Sequence, residues 1–439
     1  MTVVESRTVV TTELTDEDLK LMGTEQEPVD NGLIYFIMLL NGAGVLFPWN
    51  AFLSAPDYFA RYGDGFMSYV SVAYSIPNLL TLIILVLVGR RIPMLLKTIP
   101  SYICLFLILI AVPVLGFAGV NTNAGFYITL TLVCLLGISS SILQGGIFGL
   151  AGMLPSTITQ AVMSGNGLSA VVVILIRIVC KVATEFKNID PEDKDAVERA
   201  LLISTSVYFF VSAAFMIICL ISFIFILRTD YIKYYIRKSE QTTVSQSGVV
   251  NEMAKYDRYQ NIEESAEVKV SVITVFRKIW LMAFCVFFVF AVTFPIFPGF
   301  CFIVPSSFQG NLKWLDWYPI VIVAIFSFGD FIGRTLPKWV VVFSPDTLVI
   351  PVLLRSLFIA LYLLCLVPRV FAHDAIPLTL MFFIAFTNGY FSSLPMMFAP
   401  GKVLDHERQT AGTMMTLFLV GGIMVGSNFG RLLIFLYGF

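Results

Sequence analysis

Apolar residues run in long blocks along most of this chain, and polar residues collect in the gaps between them. A helical block of about 20 residues crosses a hydrocarbon layer of about 30 Å. Such blocks fall near 33–55, 66–88, 98–120, 125–153, 160–183 and 201–227, and then near 275–304, 317–340, 348–371, 376–399 and 409–437. The pattern predicts an all-α polytopic membrane protein with eleven transmembrane helices. It divides the chain into an acidic tail over 1–32, a six-helix bundle over 33–227, a linker over 228–274 and a five-helix bundle over 275–439.

Composition strengthens this reading. The chain is 58% hydrophobic and 13% charged, about half the charge of an ordinary soluble domain. The lipid bilayer is therefore the first partner, and a net charge of −1 points to no nucleic acid. Residues 1–32 carry eight acids against Arg7 and Lys20, with no short apolar core of a cleaved leader. They read as a disordered tail ahead of an uncleaved first span. Nine of the 28 Lys and Arg residues fall in 228–278. By the positive-inside rule, this predicts a cytoplasmic linker and N-terminus, and an outside C-terminus at Phe439. The plasma membrane is the default location, and the pattern leaves the oligomeric state open. The basic and aromatic stretch from Arg228 to Lys238 is an ordinary positive flank or a binder of anionic headgroups. Cys104, Cys134, Cys180, Cys219, Cys285, Cys301 and Cys365 lie in or beside apolar blocks with no C-x-x-C pair, so neither disulfide nor zinc is expected. No N-x-[ST] sequon occurs, so no N-glycan is expected either.

Candidate chemistry sits where polar residues interrupt the blocks. The first contains NGAGVLFPWNAF (41–52), where Pro48 predicts an irregular helix carrying Trp49 and Asn50. Asp330 and Arg334 stand four apart in FSFGDFIGR, on one helix face. That spacing suits a salt bridge, either locking helices or bordering a polar cavity. Gln144 can donate and accept, as the edge of a heterocycle requires, or clasp a neighbouring helix. Gly145, Gly146, Gly149 and Gly152, like Gly421, Gly422 and Gly426, mark close helix packing. Arg355 and Arg431 lie toward block ends and are expected to snorkel, while Arg177 is expected to pair or face water. His373 and His406 fall in loops without the neighbours that catalysis or a metal needs. No phosphate-binding loop, nucleophile elbow or zinc-protease helix is present, so no catalytic residue, metal or cofactor is expected.

Four stretches together resemble the equilibrative nucleoside transporter family: GVLFPWNAF (44–52), the run from Gln144 through MSGNG (163–167), DFIGR (330–334), and FTNGYFSSL (386–394) leading into ERQTAGTMM (407–415). They keep the family's order, and the six-plus-five count with a long central loop agrees. The resemblance implies a major-facilitator-like 6+5 bundle working by alternating access without ATP, its site between the bundles. It implies that Leu46 and Trp49 line the site, that Gln144 reads the base edge, and that Asp330 and Arg334 engage the ribose hydroxyls. Asn50 and Ser327 complete the expected set, Ser327 standing where many members have Asn. Asn166 replaces a common Gln, and residues 56–65 are too short for the family's usual large outer loop. The implied cargo is a purine or pyrimidine nucleoside. Nucleobase transport or proton-coupled uptake on the same fold is the alternative, and a non-transporting receptor or scaffold the remote one.

Overall fold

The computed structural model describes residues 32–63, 66–89, 92–118, 121–186, 194–239, 270–308, 310–371 and 373–437. The acidic tail and most of the linker lie outside the described residues. Among the described residues, eleven principal helices follow the apolar blocks. They are α1 (Leu33–Leu53), α2 (Phe66–Val88), α3 (Met94–Phe117), α4 (Thr122–Met153), α5 (Ser156–Phe186), α6 (Lys194–Leu227), α7 (Val272–Phe294), α8 (Leu312–Thr335), α9 (Val349–Leu354 and Leu357–Leu363), α10 (Ala375–Phe398) and α11 (Arg408–Tyr437). All but α9 are long and apolar enough to cross a membrane. Short connections reverse the chain between successive helices. One end of the bundle, here the linker side, therefore holds the end of α6 and the start of α7 with the α4–α5 and α10–α11 turns. The opposite end is the far side.

Two irregularities fall where the sequence pattern did not place them. Helix α1 continues through Pro48, although Pro48 cannot donate to the helix ladder. Its neighbours Gly42, Ala43 and Gly44 are buried, and packing against α5 and α6 encloses this turn. Helix α7 instead stops before Pro295, and Phe297 between Pro295 and Pro298 takes extended φ/ψ of −121° and 123°. Two prolines so close leave that turn short of donors. Helix α9 tightens at Arg355–Ser356, where Ser356 N–H bonds Leu353 O and Phe358 N–H bonds Arg355 O. These i→i+3 bonds divide α9 into two short pieces.

Helices of the first six pack on one another, α1 on α5 and α6, α2 on α4, and α3 on α4 and α6. Those of the last five do likewise, α7 on α10 and α11, and α8 on α10. The seam between the groups is crossed by α5–α8, α4–α11, α2–α11 and α5–α10. In lipid such contacts gain little from the hydrophobic effect, so backbones must approach closely. A Cβ at Gly165 would strike Leu39 O, one at Gly389 would strike Asp330 O, and one at Gly412 would strike Phe148 O. The glycine pattern thus sets both α1–α5 and α8–α10 within the groups and α4–α11 across the seam.

Outside the spans, Asp374 just before α10 accepts from Ser306 Oγ at 2.6 Å, Trp314 Nε1 at 2.9 Å and the Ser307 N–H. Burial alone would raise its pKa. The donors outweigh burial and hold it below the usual carboxylate value. Beyond α6, residues 230–239 form another helix. It buries Tyr231, Ile232 and Tyr235 and exposes Lys233, Arg237 and Lys238, so the basic stretch is amphipathic.

Candidate functional site

The second group of helices supplies a charged wall. Asp330 and Arg334 are each 5% exposed, and Arg334 Nε donates to Asp330 Oδ2 at 2.6 Å. Helical spacing alone brings them together. The other carboxylate oxygen is held from α10, where Asn388 Nδ2 donates to Asp330 Oδ1 at 2.7 Å. Behind Asn388 stands Thr293 of α7, 2.9 Å from Asn388 Oδ1, and behind Thr293 stands Arg355 of α9 at 2.8 Å. Arg355 does not snorkel. It is 2% exposed, and it donates to Val289 O, Ile384 O, Thr387 Oγ1 and Thr293 Oγ1. A guanidinium this far from water needs all those acceptors, and α7 and α10 provide them at the tightened turn of α9.

Arg334 also faces the seam. Its Nη1 lies 3.8 Å from Met163 Sδ of α5, and a Cβ on Gly167 would approach its Cδ. The MSGNG stretch therefore backs directly onto the charged pair. Nearby, Gln160 Nε2 and Ser164 Oγ donate to the Arg334 carbonyl at 3.0 and 3.2 Å. Tyr35 OH donates to Gln160 Oε1 at 3.0 Å, and Lys338 Nζ lies 3.8 Å from the centre of the Tyr35 ring. Thr413 Oγ1 donates to Gly145 O between α11 and α4 at 3.1 Å. These contacts close the linker side of the seam. Toward the far side, Lys181 pairs with Asp316 between α5 and α8, with the Asp316 side chain 64% exposed.

The first group carries a set of buried neutral polar groups. Gln144 is 3% exposed and, among the described residues, its amide makes no hydrogen bond. The interhelical clasp left open by the sequence is thus absent among the described residues. One turn earlier on α4, Ser140 Oγ is buried without a partner, as is Asn78 Oδ1 on α2. The Tyr74 hydroxyl lies close to both. Trp49 stacks on Tyr74, with ring centroids 3.9 Å apart and planes 14° from parallel. Leu46 is half-buried one turn earlier on α1. Asn50 Nδ2 donates to Ser169 Oγ of α5 at 2.8 Å, which ties α1 to α5. Ser327, 3% exposed, donates to Val323 O of its own helix at 2.8 Å. Arg177 Nη1 donates to Ser54 O at 3.1 Å.

Sequence reasoning did not single out Tyr74, Asn78, Ser140, Gln160, Thr293 or Asn388. For Asn78 the signal was present, as a lone amide in the middle of an apolar block. Asn388 lay inside the quoted FTNGYFSSL stretch without a role.

The same arrangement of helices occurs in solved transporters. The E. coli fucose:proton symporter FucP superimposes with a TM-score of 0.54 at 12% identity, over 92% of this chain and 93% of that one. The proton:xylose symporter XylE gives 0.59 at 10% identity, over 92% and 90%. The chain is a polytopic membrane protein of the major facilitator fold. A family model described as "Nucleoside transporter" matches residues 130–435, and the chain belongs to that family. It is 28% identical over 450 residues to equilibrative nucleoside transporter 2 of Rattus norvegicus, covering 90% of this chain and 95% of that protein. It is 27% identical to equilibrative nucleoside transporter 1 of Homo sapiens over 94% and 99%, and 29% identical to equilibrative nucleotide transporter 1 of Arabidopsis thaliana over 92% and 87%.

Proposed function

We propose that this protein carries purine or pyrimidine nucleosides passively in both directions across the plasma membrane, by alternating access and without ATP. In this reading residues 33–227 and 275–439 rock against each other about the seam, and the linker side faces the cytoplasm. The observation that carries the proposal is the contrast between the two groups of helices, one with a charged, hydrogen-bonded set, the other with buried neutral groups left unpartnered. A nucleoside has matching ends. Its ribose diol can donate to the remaining lone pairs of Asp330 and accept from the outer N–H groups of Arg334. Its base can stack on Trp49, which Tyr74 backs, and present its polar edge to Gln144, Asn78 and Ser140. Leu46 and Ser327 then border the sugar and base, and Asn50 holds α1 in place against α5. The cargo leaves chemically unchanged, so the protein acts as a carrier and not as an enzyme.

Both oxygens of Asp330 are already engaged, by Arg334 Nε and Asn388 Nδ2, and the paired Arg334 favours facilitated over proton-coupled transport. The test is uptake of labelled adenosine and uridine into liposomes holding the full chain. Uptake is expected to be saturable, independent of sodium, ATP and an imposed pH gradient, and accelerated by unlabelled nucleoside on the opposite side. Accumulation that follows the pH gradient would establish the proton-coupled alternative. Flux of free bases without nucleosides would establish the nucleobase alternative.

A further inference from the structure

Asp330 of α8 and Arg355 of α9 are joined by a chain of hydrogen bonds that passes through Asn388 of α10 and Thr293 of α7. The links share one sense, with donors pointing from Arg355 toward Asp330. Asp330 as a carboxylate only accepts, so the Asn388 amide must turn its NH2 group toward Oδ1 at 2.7 Å. That orientation leaves Asn388 Oδ1 facing Thr293 Oγ1 at 2.9 Å, so Thr293 must donate. The Thr293 hydroxyl has one proton and two acceptors in reach, Asn388 Oδ1 and Val289 O. Val289 O already receives Arg355 Nη1 at 3.0 Å, whereas no other donor meets Asn388 Oδ1 among the described residues. Arg355 Nη2 in turn donates to Thr293 Oγ1 at 2.8 Å, which orients the hydroxyl proton away from Arg355 and toward Asn388.

We infer that Thr293 and Asn388, anchored by Arg355, are positioning residues for the ribose-binding carboxylate of Asp330. The inference rests on the nucleoside reading above. The chain holds Asp330 Oδ1 from α10 while Arg334 holds Oδ2 along α8, so the plane of the carboxylate is set from two directions. The remaining lone pairs then point in fixed directions toward the cargo. Arg355 does not depend on the chain, because it also donates to Val289 O, Ile384 O and Thr387 Oγ1. Asp330 does depend on it for its second donor. The chain also ties the turn of α7 before Pro295 and the tightened turn of α9 to the site. Movement at either irregular helix therefore reaches the carboxylate that grips the sugar.

A pair of substitutions separates positioning from packing. Thr293→Val keeps the volume and removes the hydroxyl, whereas Thr293→Ser keeps the hydroxyl and removes a methyl. Uptake by the full chain in liposomes is measured for a ribonucleoside and for its 2′,3′-dideoxy analogue, which lacks the hydroxyls that Asp330 receives. Thr293→Val is expected to raise KM for the ribonucleoside about tenfold, the scale of one lost hydrogen bond to a charged group. KM for the dideoxy compound should stay within about twofold, and Thr293→Ser should resemble the parent for both. Thr387→Val, which removes a different Arg355 contact, should leave the ratio of the two KM values unchanged. If Thr293→Val does not accumulate, Thr293→Ala deletes the same hydroxyl and gives the same readout. Normal uptake with an unchanged KM ratio in the hydroxyl-deleted variant overturns the positioning role alone. So does a Ser variant that behaves like Val. Absence of ribonucleoside uptake by the parent chain overturns the nucleoside reading and this inference together.

Discussion

The two groups of helices treat buried polarity in opposite ways. In the second group Asp330, Arg334 and Arg355 are each held by hydrogen-bond partners. Asp330 takes Arg334 and Asn388, and Arg355 takes four acceptors on α7 and α10. In the first group Asn78 Oδ1 and Ser140 Oγ are buried without partners, and no hydrogen bond meets Gln144 among the described residues. The difference follows from cost. An unpaired ion inside a membrane is expensive enough to destabilise the fold, so it must be satisfied before any cargo arrives. An unpaired neutral amide or hydroxyl costs about 1–3 kcal/mol, which a fold of this size tolerates and a cargo can relieve. The charged wall is thus built to hold a fixed geometry, and the neutral groups are left to be completed.

Breaking the charged wall should have the largest effect. Asp330→Asn or Arg334→Gln alone leaves a buried charge unpaired, at about 3–5 kcal/mol. Each should cut both the yield of monodisperse protein and the uptake per cell by about a hundredfold or more. The double variant should recover yield without recovering uptake. Size-exclusion profiles read beside flux measure both, and recovery of uptake in the double variant would remove the pair from the site.

An intermediate effect is expected at the seam itself. Gly412→Ala places a methyl against Phe148 O, which pushes α11 away from α4 on the linker side. Transport should fall about tenfold, the scale of a modest overpacking cost. A Gln409→Cys reporter in that background should react faster with an impermeant thiol reagent applied to the linker side. An unchanged labelling rate would show that the α4–α11 contact does not close the seam.

The smallest effect belongs to the neutral groups. Asn78→Leu removes an amide whose Oδ1 has no hydrogen bond and Gln144→Leu one with none among the described residues, so the yield should stay level or nearly so. The ratio of adenosine to uridine uptake should shift by about three- to tenfold, the value of one hydrogen bond to a base edge. A collapse in yield for either variant would mean that the neutral groups are structural and would erase the contrast between the two sets.

Much of this molecule was legible along the chain. The eleven apolar blocks each hold a helix, because each membrane helix satisfies its own backbone and needs only length and hydrophobicity to form, but α7 and α9 end eight to ten residues before their blocks do. The Asp330–Arg334 pair was equally legible, since four residues along a helix settle who meets whom. Local rules failed where neighbours decide. Pro48 marked a break, yet α1 continues through it against α5 and α6, while the Pro295–Pro298 pair, two prolines within one turn, ends α7. Arg355 looked free to snorkel from its place in a block, but α7 and α10 surround it with acceptors.

What the sequence by itself determined was the number of apolar blocks, the close packing at some of its glycines, and the ion pair on α8. Only the tertiary structure decided which distant groups would complete that pair and which would be left waiting. Asn388, Thr293 and Arg355 come from three different helices, and Asn78, Ser140 and Tyr74 from two others. A hydrogen bond requires atoms within about 3 Å. Sequence periodicity carries that information within a helix and loses it between helices, where crossing geometry and the close approach of glycines set every distance.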